Sequence, residues 1–419
     1  MTEAAKTPVR LRRGRTALAF SFLTQGITFA LLVTRVPAVQ SRYGVPDAAL
    51  TALLAAVPLL AGVGSLTTGT LVTRVPARTV LRCSQPLVLL ALLAVGTGHH
   101  TWHLAVALGT FGLAVGALDA SMNMLGVSLQ HAHGRSIMLG FHAAYSLGGI
   151  AGATLAWAAV RAGLPLGLSY APVVLLLLPA VLLTGPRHTD GAPTPPTRHQ
   201  APQNAATPTR GARRPRGTGG RALVPLCVVM AVAYIGDSTV SNWSATYLRD
   251  VLGGSEALAT LPYNAYAATT LLGRAGGDRA VRRFGAPAVV RGGGLLAACG
   301  FAAVAAAPGP LTGLAGFTAL GLGLSVLVPQ TFAAAGRAAQ GRGPGATDAA
   351  VARLNVFTYL GYLVGAPLVG ALGAAWDPRG AMVVPLLLVL LAVAYAGSFT
   401  EQPDRYGGGH ERPRTVDVG

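Results

Sequence analysis

Four ionisable side chains stand inside long apolar stretches of this sequence: Arg35, Asp119, His142 and Asp237. An ionised group at a bilayer centre costs about 2.5–3.5 kcal/mol on insertion scales, so it needs a partner, water or a function. Asp237, in Gly236-Asp237-Ser238-Thr239, can take a proton from one side of a membrane and release it to the other. Its structural alternative is a buried carboxylate paired with Arg35 or bonded to a hydroxyl. Asp119 has Asn123 one turn on, on the same helical face. It can hold a substrate or a proton, or latch one helix to another. His142, next to Phe141, titrates near neutral pH and suits a proton relay; the plainer reading is a hydrogen-bonded packing residue. Arg35, just before Pro37, can bind an anion or snorkel to the interface. Gln25, Thr28, Asn242, Trp243, Tyr263, Asn264, Tyr266, Asn355, Tyr359 and Tyr362 surround these in the apolar runs. Together they read as the wall of a cavity for a small polar or amphipathic solute. Trp243 equally suits an interfacial anchor.

The elements that must position these residues are membrane spans. Of 419 residues, 11% are charged, against roughly 25% in soluble domains. Most of the surface must therefore face something other than water. Apolar runs of roughly 20 residues recur, each long enough to cross a hydrocarbon core. They cover 16–40, 48–72, 79–98, 102–130, 137–160 and 165–185, then 222–248, 256–276, 286–307, 310–334, 348–375 and 379–398. Residues 186–220, rich in Pro, Thr, Arg and Gly, read as a flexible linker, and the tail from 399 is similar in composition. The division is a tail 1–15, a six-helix unit 16–185, a linker 186–220, a second unit 221–398 and a tail 399–419.

Arginines alternate in density from loop to loop. One side carries Arg10–Arg15, Arg74, Arg78, Arg82, Arg135, the linker arginines, Arg279–Arg291, Arg337, Arg342 and those of the last tail. The other side has Arg42, Arg161, Arg249 and Arg379. Positive residues stay inside, so both termini are expected in the cytoplasm and the protein in the cytoplasmic membrane, among its lipids. The net charge of +18 arises from these clusters, and no nucleic-acid module accompanies it.

Cys83, Cys227 and Cys299 form no CxxC pair and read as buried small hydrophobes. There is no Walker A, HExxH or GxSxG motif, so no catalytic role, cofactor or metal is expected. His99, His100 and His103 read as an ordinary polar loop. A repeat is visible: Gly44, Gly116 and Gly148 pair with Gly253, Gly323 and Gly361, in chain order and at offsets of about 210 residues. A duplicated six-helix unit is a transporter architecture, with the solute site between the halves near the midplane.

The segment Leu272-Gly273-Arg274-Ala275-Gly276-Gly277-Asp278-Arg279, continuing to Arg283-Phe284-Gly285, resembles the signature of the major facilitator superfamily between helices eight and nine. The first-half counterpart, Gly69 to Arg78, lacks the Asp. Thr34–Gln40, Asp119–Asn123, Phe141–Gly149, Asn242–Leu248 and Gly361–Pro367 are similar to a fucose-permease-like bacterial branch of largely unknown substrate. The resemblance implies an all-α integral membrane fold of 12 helices in two bundles related by a pseudo-two-fold axis. It also implies a monomer, and a gate formed by Gly273, Arg274, Gly277, Asp278, Arg279 and Arg283, in which Asp and Arg pair. Sugar–proton symport in that branch uses acids in helices one and four. Asp119 matches the second by segment; the first span offers Gln25. The drug-antiporter signature of helix five is matched by Gly148, Gly149 and Gly152 without its proline.

These readings converge on a secondary active transporter working by alternating access. Protons are the expected coupling ion because Asp119, Asp237 and His142 are the titratable groups at hand. Export is slightly favoured, since the first span lacks the symport acid. Import of a sugar or small polar metabolite is the alternative, and a non-transporting receptor on the same scaffold is another.

Overall fold

A computed structural model describes residues 9–189, 219–340, 342–343 and 345–400. The remainder of both tails and residues 190–218 of the expected linker lie outside the described residues. The described chain is helical throughout. The first half consists of α1 (Val9–Thr34), α2 (Val36–Tyr43), α3 (Asp47–Leu71), α4 (Ala77–Thr97), α5 (Thr101–His133), α6 (Met138–Arg161) and α7 (Leu166–Thr184). The second consists of α8 (Gly219–Thr246), α9 (Glu256–Ala259), α10 (Leu261–Phe284), α11 (Ala286–Ala305), α12 (Pro310–Leu324), α13 (Leu327–Ala339), α14 (Ala346–Ala375), α15 (Pro378–Ala381) and α16 (Val383–Ala394).

Among the described residues, eleven spans are long and apolar enough to cross a membrane. The twelfth crossing is α10. Its 24 residues reach about 36 Å at 1.5 Å per residue, but its second half carries Arg274, Asp278, Arg279, Arg282 and Arg283. Those charges lower its hydropathy and turn out to face the other half of the molecule or its rim. Large side chains such as Leu175, Leu176 and Leu183 are more than 70% exposed, which is the surface that lipid covers. Cys83 and Cys299 are exposed as well; they are surface residues, not the buried hydrophobes expected from sequence.

Prolines decide where spans break. The expected first span, 16–40, is two helices meeting at Arg35. Pro37 cannot donate to the carbonyl four residues back and crowds it, yet fits the first turn of α2. Pro329 likewise leaves Ser325 without its helical donor, and the span expected at 310–334 divides into α12 and α13 there. Of the residues read as linker, His188 and Thr189 are packed, only 3% and 6% exposed, whereas Pro186 and Arg187 beside them are exposed. In the outer loop, His103 Nδ1 accepts from the His100 N–H at 3.2 Å, so this histidine caps α5.

The repeat has a structural meaning. Gly44 and Gly253 both adopt a left-handed turn, φ 59° and 68°, after the first span of each half. Gly148 and Gly152 press α6 onto the α1 backbone at Leu23 and Ile27. Their mates Gly361 and Gly365 press α14 onto α8 at Ala231 and Ile235. A Cβ at any of the four would strike backbone, so the close approach is available only to glycine. The result is two six-helix bundles that meet chiefly through α3 against α14 and α6 against α10.

Candidate functional site

The hydrogen bonds that cross between the halves run from the middle of the spans to the arginine-rich end. At that end Asp278 of α10 accepts from the Gly140 N–H (2.9 Å), the Leu139 N–H (3.3 Å) and the Ser136 hydroxyl (2.6 Å). The next two donors of the same helix start, Ile137 and Met138, are taken by Gln130 Oε1 at 3.0 and 3.1 Å. A helix leaves its first N–H groups unsatisfied; here one half supplies part of the cap and the other half the rest. Asp278 is 8% exposed, and its partners are this helix end. The Asp–Arg pairing implied by the family signature is not the interaction that holds it. Arg282 adds a bond to the Ser136 carbonyl at 2.9 Å. Gly277 lets Leu139 close against α10. Gly273 serves α12, facing Ser325. Arg279 and Arg283 are exposed on the rim, with Arg283 over the Phe284 ring at 5.3 Å.

One layer deeper, Asn355 donates to Ser65 Oγ at 3.3 Å and Ser65 donates to the Ala352 carbonyl at 3.1 Å. His142 is 7% exposed, with its ring between Phe22 of its own half (5.3 Å) and Phe332 of the other (6.2 Å). Its Nε2 has no hydrogen-bond partner among the described residues.

At mid-span the polar residues gather. Asp119 accepts from Gln25 on α1 and from the Tyr359 hydroxyl on α14, which crosses the interface. Asn123 donates to the Asp119 carbonyl at 2.9 Å. Its side-chain oxygen has no partner among the described residues. Asp237 accepts from the Tyr266 hydroxyl at 2.6 Å. Arg274 donates to Ser146 Oγ across the interface at 2.6 Å and lies within electrostatic range of Asp237. Tyr234 is within that range of both carboxylates and of Arg274. Asp119, Asp237, Arg274, Tyr145, Tyr234 and Tyr359 are all half-buried.

The remaining sequence candidates lie elsewhere. Arg35 is 7% exposed and donates to the Leu164 carbonyl at 3.1 Å, tying α1 to the α6–α7 loop. Trp243 donates to the Ala366 carbonyl at 2.9 Å, packing α8 on α14. Asn242 and Asn264 bond one turn back to Ser238 and Thr260 and are exposed. Sequence reasoning did not single out Tyr145, Tyr234 or Ser146 as site residues. The available signal was spacing: Tyr234 lies three residues before Asp237, on one helical face.

At the arginine-poor end the bonds stay within each half. Arg42 binds Gly98, Tyr43 binds Val95, Tyr247 binds Val304 and Arg379 binds Ala307. Among the described residues, the halves are thus latched at one end and joined in the middle layer by Asp119–Tyr359 and Arg274–Ser146.

Comparison with known proteins agrees with this architecture. The profile of the Major Facilitator Superfamily matches residues 17–347 and 226–415. An uncharacterized MFS-type transporter of Yersinia pestis is 31% identical over 385 residues, covering 91% of this chain and 94% of the relative. Among solved structures, the superfamily transporter FucP in the outward conformation superposes with a TM-score of 0.73 at 16% identity, over 92% of this chain and 98% of FucP. The human organic anion transporter MFSD10 gives 0.74 at 16% identity, over 93% and 100%. Likeness at that identity shows the shared fold of 12 helices in two bundles. The chain is a multi-pass integral membrane protein and belongs to the Major Facilitator Superfamily.

Proposed function

We propose that this protein is a proton-coupled secondary transporter that moves a small polar solute across the cytoplasmic membrane by alternating access, with export favoured. It works as a monomer with its termini and arginine-rich end in the cytoplasm, so the described form faces outward. The observation that carries the reading is the mid-span layer, where each half contributes one carboxylate and one carboxylate is bonded across the interface. The Asp119–Tyr359 bond supplies the coupling. A bond to an ionised carboxylate is roughly twice as strong as a neutral one. Protonation of Asp119 weakens the tie between the halves, and solute entering beside Tyr359 and Arg274 replaces it. Asp237, held by Tyr266 within one half, is the second proton site, and its charge is balanced by Arg274. The absence of an acid at Gln25 favours export, because the carboxylate that import of the sugar-symport kind would place there is replaced by a neutral donor.

The test compares metabolites inside and outside cells expressing wild type, Asp237→Asn or Asp119→Asn, at equal abundance. One compound depleted inside by wild type, with the effect lost in both variants and abolished by collapsing the proton gradient, is the expected result. Accumulation inside would reverse the direction. Redistribution that persists in both variants would remove the carboxylates from the mechanism.

A further inference from the structure

The start of α6 brings no cap of its own. Its N-cap position is Ile137, whose side chain accepts no hydrogen bond. The turn before it, residues 134–137, is short, and Gly134 enters it with φ 60°. The donors of this helix start are therefore met from outside the helix. Gln130, in the last turn of α5, takes Ile137 and Met138, and Asp278 takes Leu139 and Gly140. The two acceptors differ in what becomes of them when the halves part. Asp278 belongs to the other half and leaves with it. Gln130 belongs to the same half as α6 and stays.

Packing fits Gln130 to this task. It is buried. Asp119, Asn123, Gly126 and Gln130 follow one another at steps of three or four residues and form one stripe on α5. Gly126 leaves room on that stripe for the Met138 thioether and the Phe141 ring, so the α6 start lies against the helix that carries a mid-span carboxylate. Gln130 and Asp119 stand about 16 Å apart along α5, at 1.5 Å per residue. The second half has no equivalent. The shift that takes Gly116 to Gly323 takes Gln130 to Arg337, whose guanidinium offers no acceptor and donates to the Phe399 carbonyl at 3.2 Å. The first half, in turn, lacks the aspartate between Gly69 and Arg78. Both acceptors of the two-fold related latch are missing together, as they would be if the pair acts as one device.

We propose that Gln130 is the positioning residue of the latch: it keeps the α6 start formed while the halves are apart, so that Asp278 returns to a ready-made site. This rests on the alternating-access reading. Without Gln130, the Ile137 and Met138 donors turn to water when the halves part, and residues 136–138 lose their order. Ordering them again then opposes re-latching. The effect runs through Asp278, because the ordered start is what Asp278 docks on.

The experiment measures spin-label distances across the arginine-rich end of the purified full chain. Labels sit on Thr73→Cys and Arg283→Cys, both exposed, with the three native cysteines replaced by alanine. Gln130→Leu, Gln130→Glu, Asp278→Ala and the double variant Gln130→Leu/Asp278→Ala are compared with the parent. Gln130→Leu is expected to raise the ratio of parted to latched protein roughly 10-fold. Gln130→Glu, which keeps an acceptor at the helix start, is expected to hold the parent's ratio. In the Asp278→Ala background, Gln130→Leu is expected to change the ratio less than about 2-fold. An unchanged ratio in Gln130→Leu, an equal rise with and without Asp278, or a Glu variant that behaves as the Leu variant overturns the proposal. If Gln130→Leu does not fold, Gln130→Asn, with an amide too short to reach both donors, takes its place under the same expectations. A single distance in every variant, Asp278→Ala included, removes the alternating-access reading and this role with it. A parted form in Asp278→Ala that Gln130→Leu does not share removes this role alone.

Discussion

At the residue scale, the two mid-span carboxylates look alike in sequence and differ in what their bonds connect. Asp237 is held within one half by Tyr266, whereas Asp119 is held by Gln25 in its own half and by Tyr359 in the other. Removing a hydroxyl therefore has different consequences at the two places. A hydrogen bond to a charged group contributes about 1.5–3 kcal/mol net, which is roughly a 10- to 100-fold change in an equilibrium. Tyr359→Phe is expected to shift the protein by that factor away from the form latched at the arginine-rich end. Tyr266→Phe is expected to leave that balance unchanged while altering Asp237. Spin-label distances between the halves in the two variants check this; equal shifts in both would show that crossing the interface is not what matters. Asp119 and Asp237 could be found in the sequence because an acid in an apolar run is conspicuous. The crossing partner Tyr359 could be listed but not paired, since 240 residues separate it from Asp119.

At the element scale, the glycines carry the geometry. A Cβ at Gly148 would meet the Leu23 carbonyl and its neighbours, all backbone, which cannot turn aside as a side chain can. Gly149, one position on, has nothing within 4 Å. Gly148→Leu is expected to lower the melting temperature in detergent and the folded yield sharply, with overpacking costs at or above about 1–3 kcal/mol. Gly149→Leu is expected to change neither. Similar losses from both substitutions would show that the α1–α6 approach is not the constraint. The same scale explains what periodicity could not resolve. A run of apolar residues announces a span, but the breaks at Arg35 and between α12 and α13 come from single prolines acting on carbonyls four residues back.

At the scale of the whole molecule, the latch is the acidic cap that α10 places on α6. Asp278→Ala removes three acceptor contacts at once and orphans the buried Leu139 donor and the half-buried Gly140 donor, at about 1–3 kcal/mol. In a background with the three native cysteines replaced by alanine, Leu139→Cys is a reporter, because Leu139 is fully buried beneath Gly277 in the latched form. Adding Asp278→Ala is expected to raise its thiol labelling roughly 10-fold or more, with Asp278→Asn intermediate, while labelling of Asn264→Cys near the other end falls. Unchanged labelling at both ends would mean that Asp278 stabilises a helix end without governing the opening.

What the sequence determined by itself follows from short-range physics. Hydrocarbon thickness sets the length of a span, charge asymmetry sets alternation from loop to loop, and the offsets of Gly44, Gly116 and Gly148 from their mates reveal duplication. The family could be recognised separately, by the resemblance of the segment from Gly273 to Arg283 to the family's signature. What only the tertiary structure decided is which residues meet across the two halves. Asp278 capping α6, Tyr359 reaching Asp119 and Arg274 at Ser146 are contacts between segments far apart in the chain. No periodicity encodes them, because they arise from how two bundles dock, and docking is fixed by the summed packing of whole helices rather than by any local pattern.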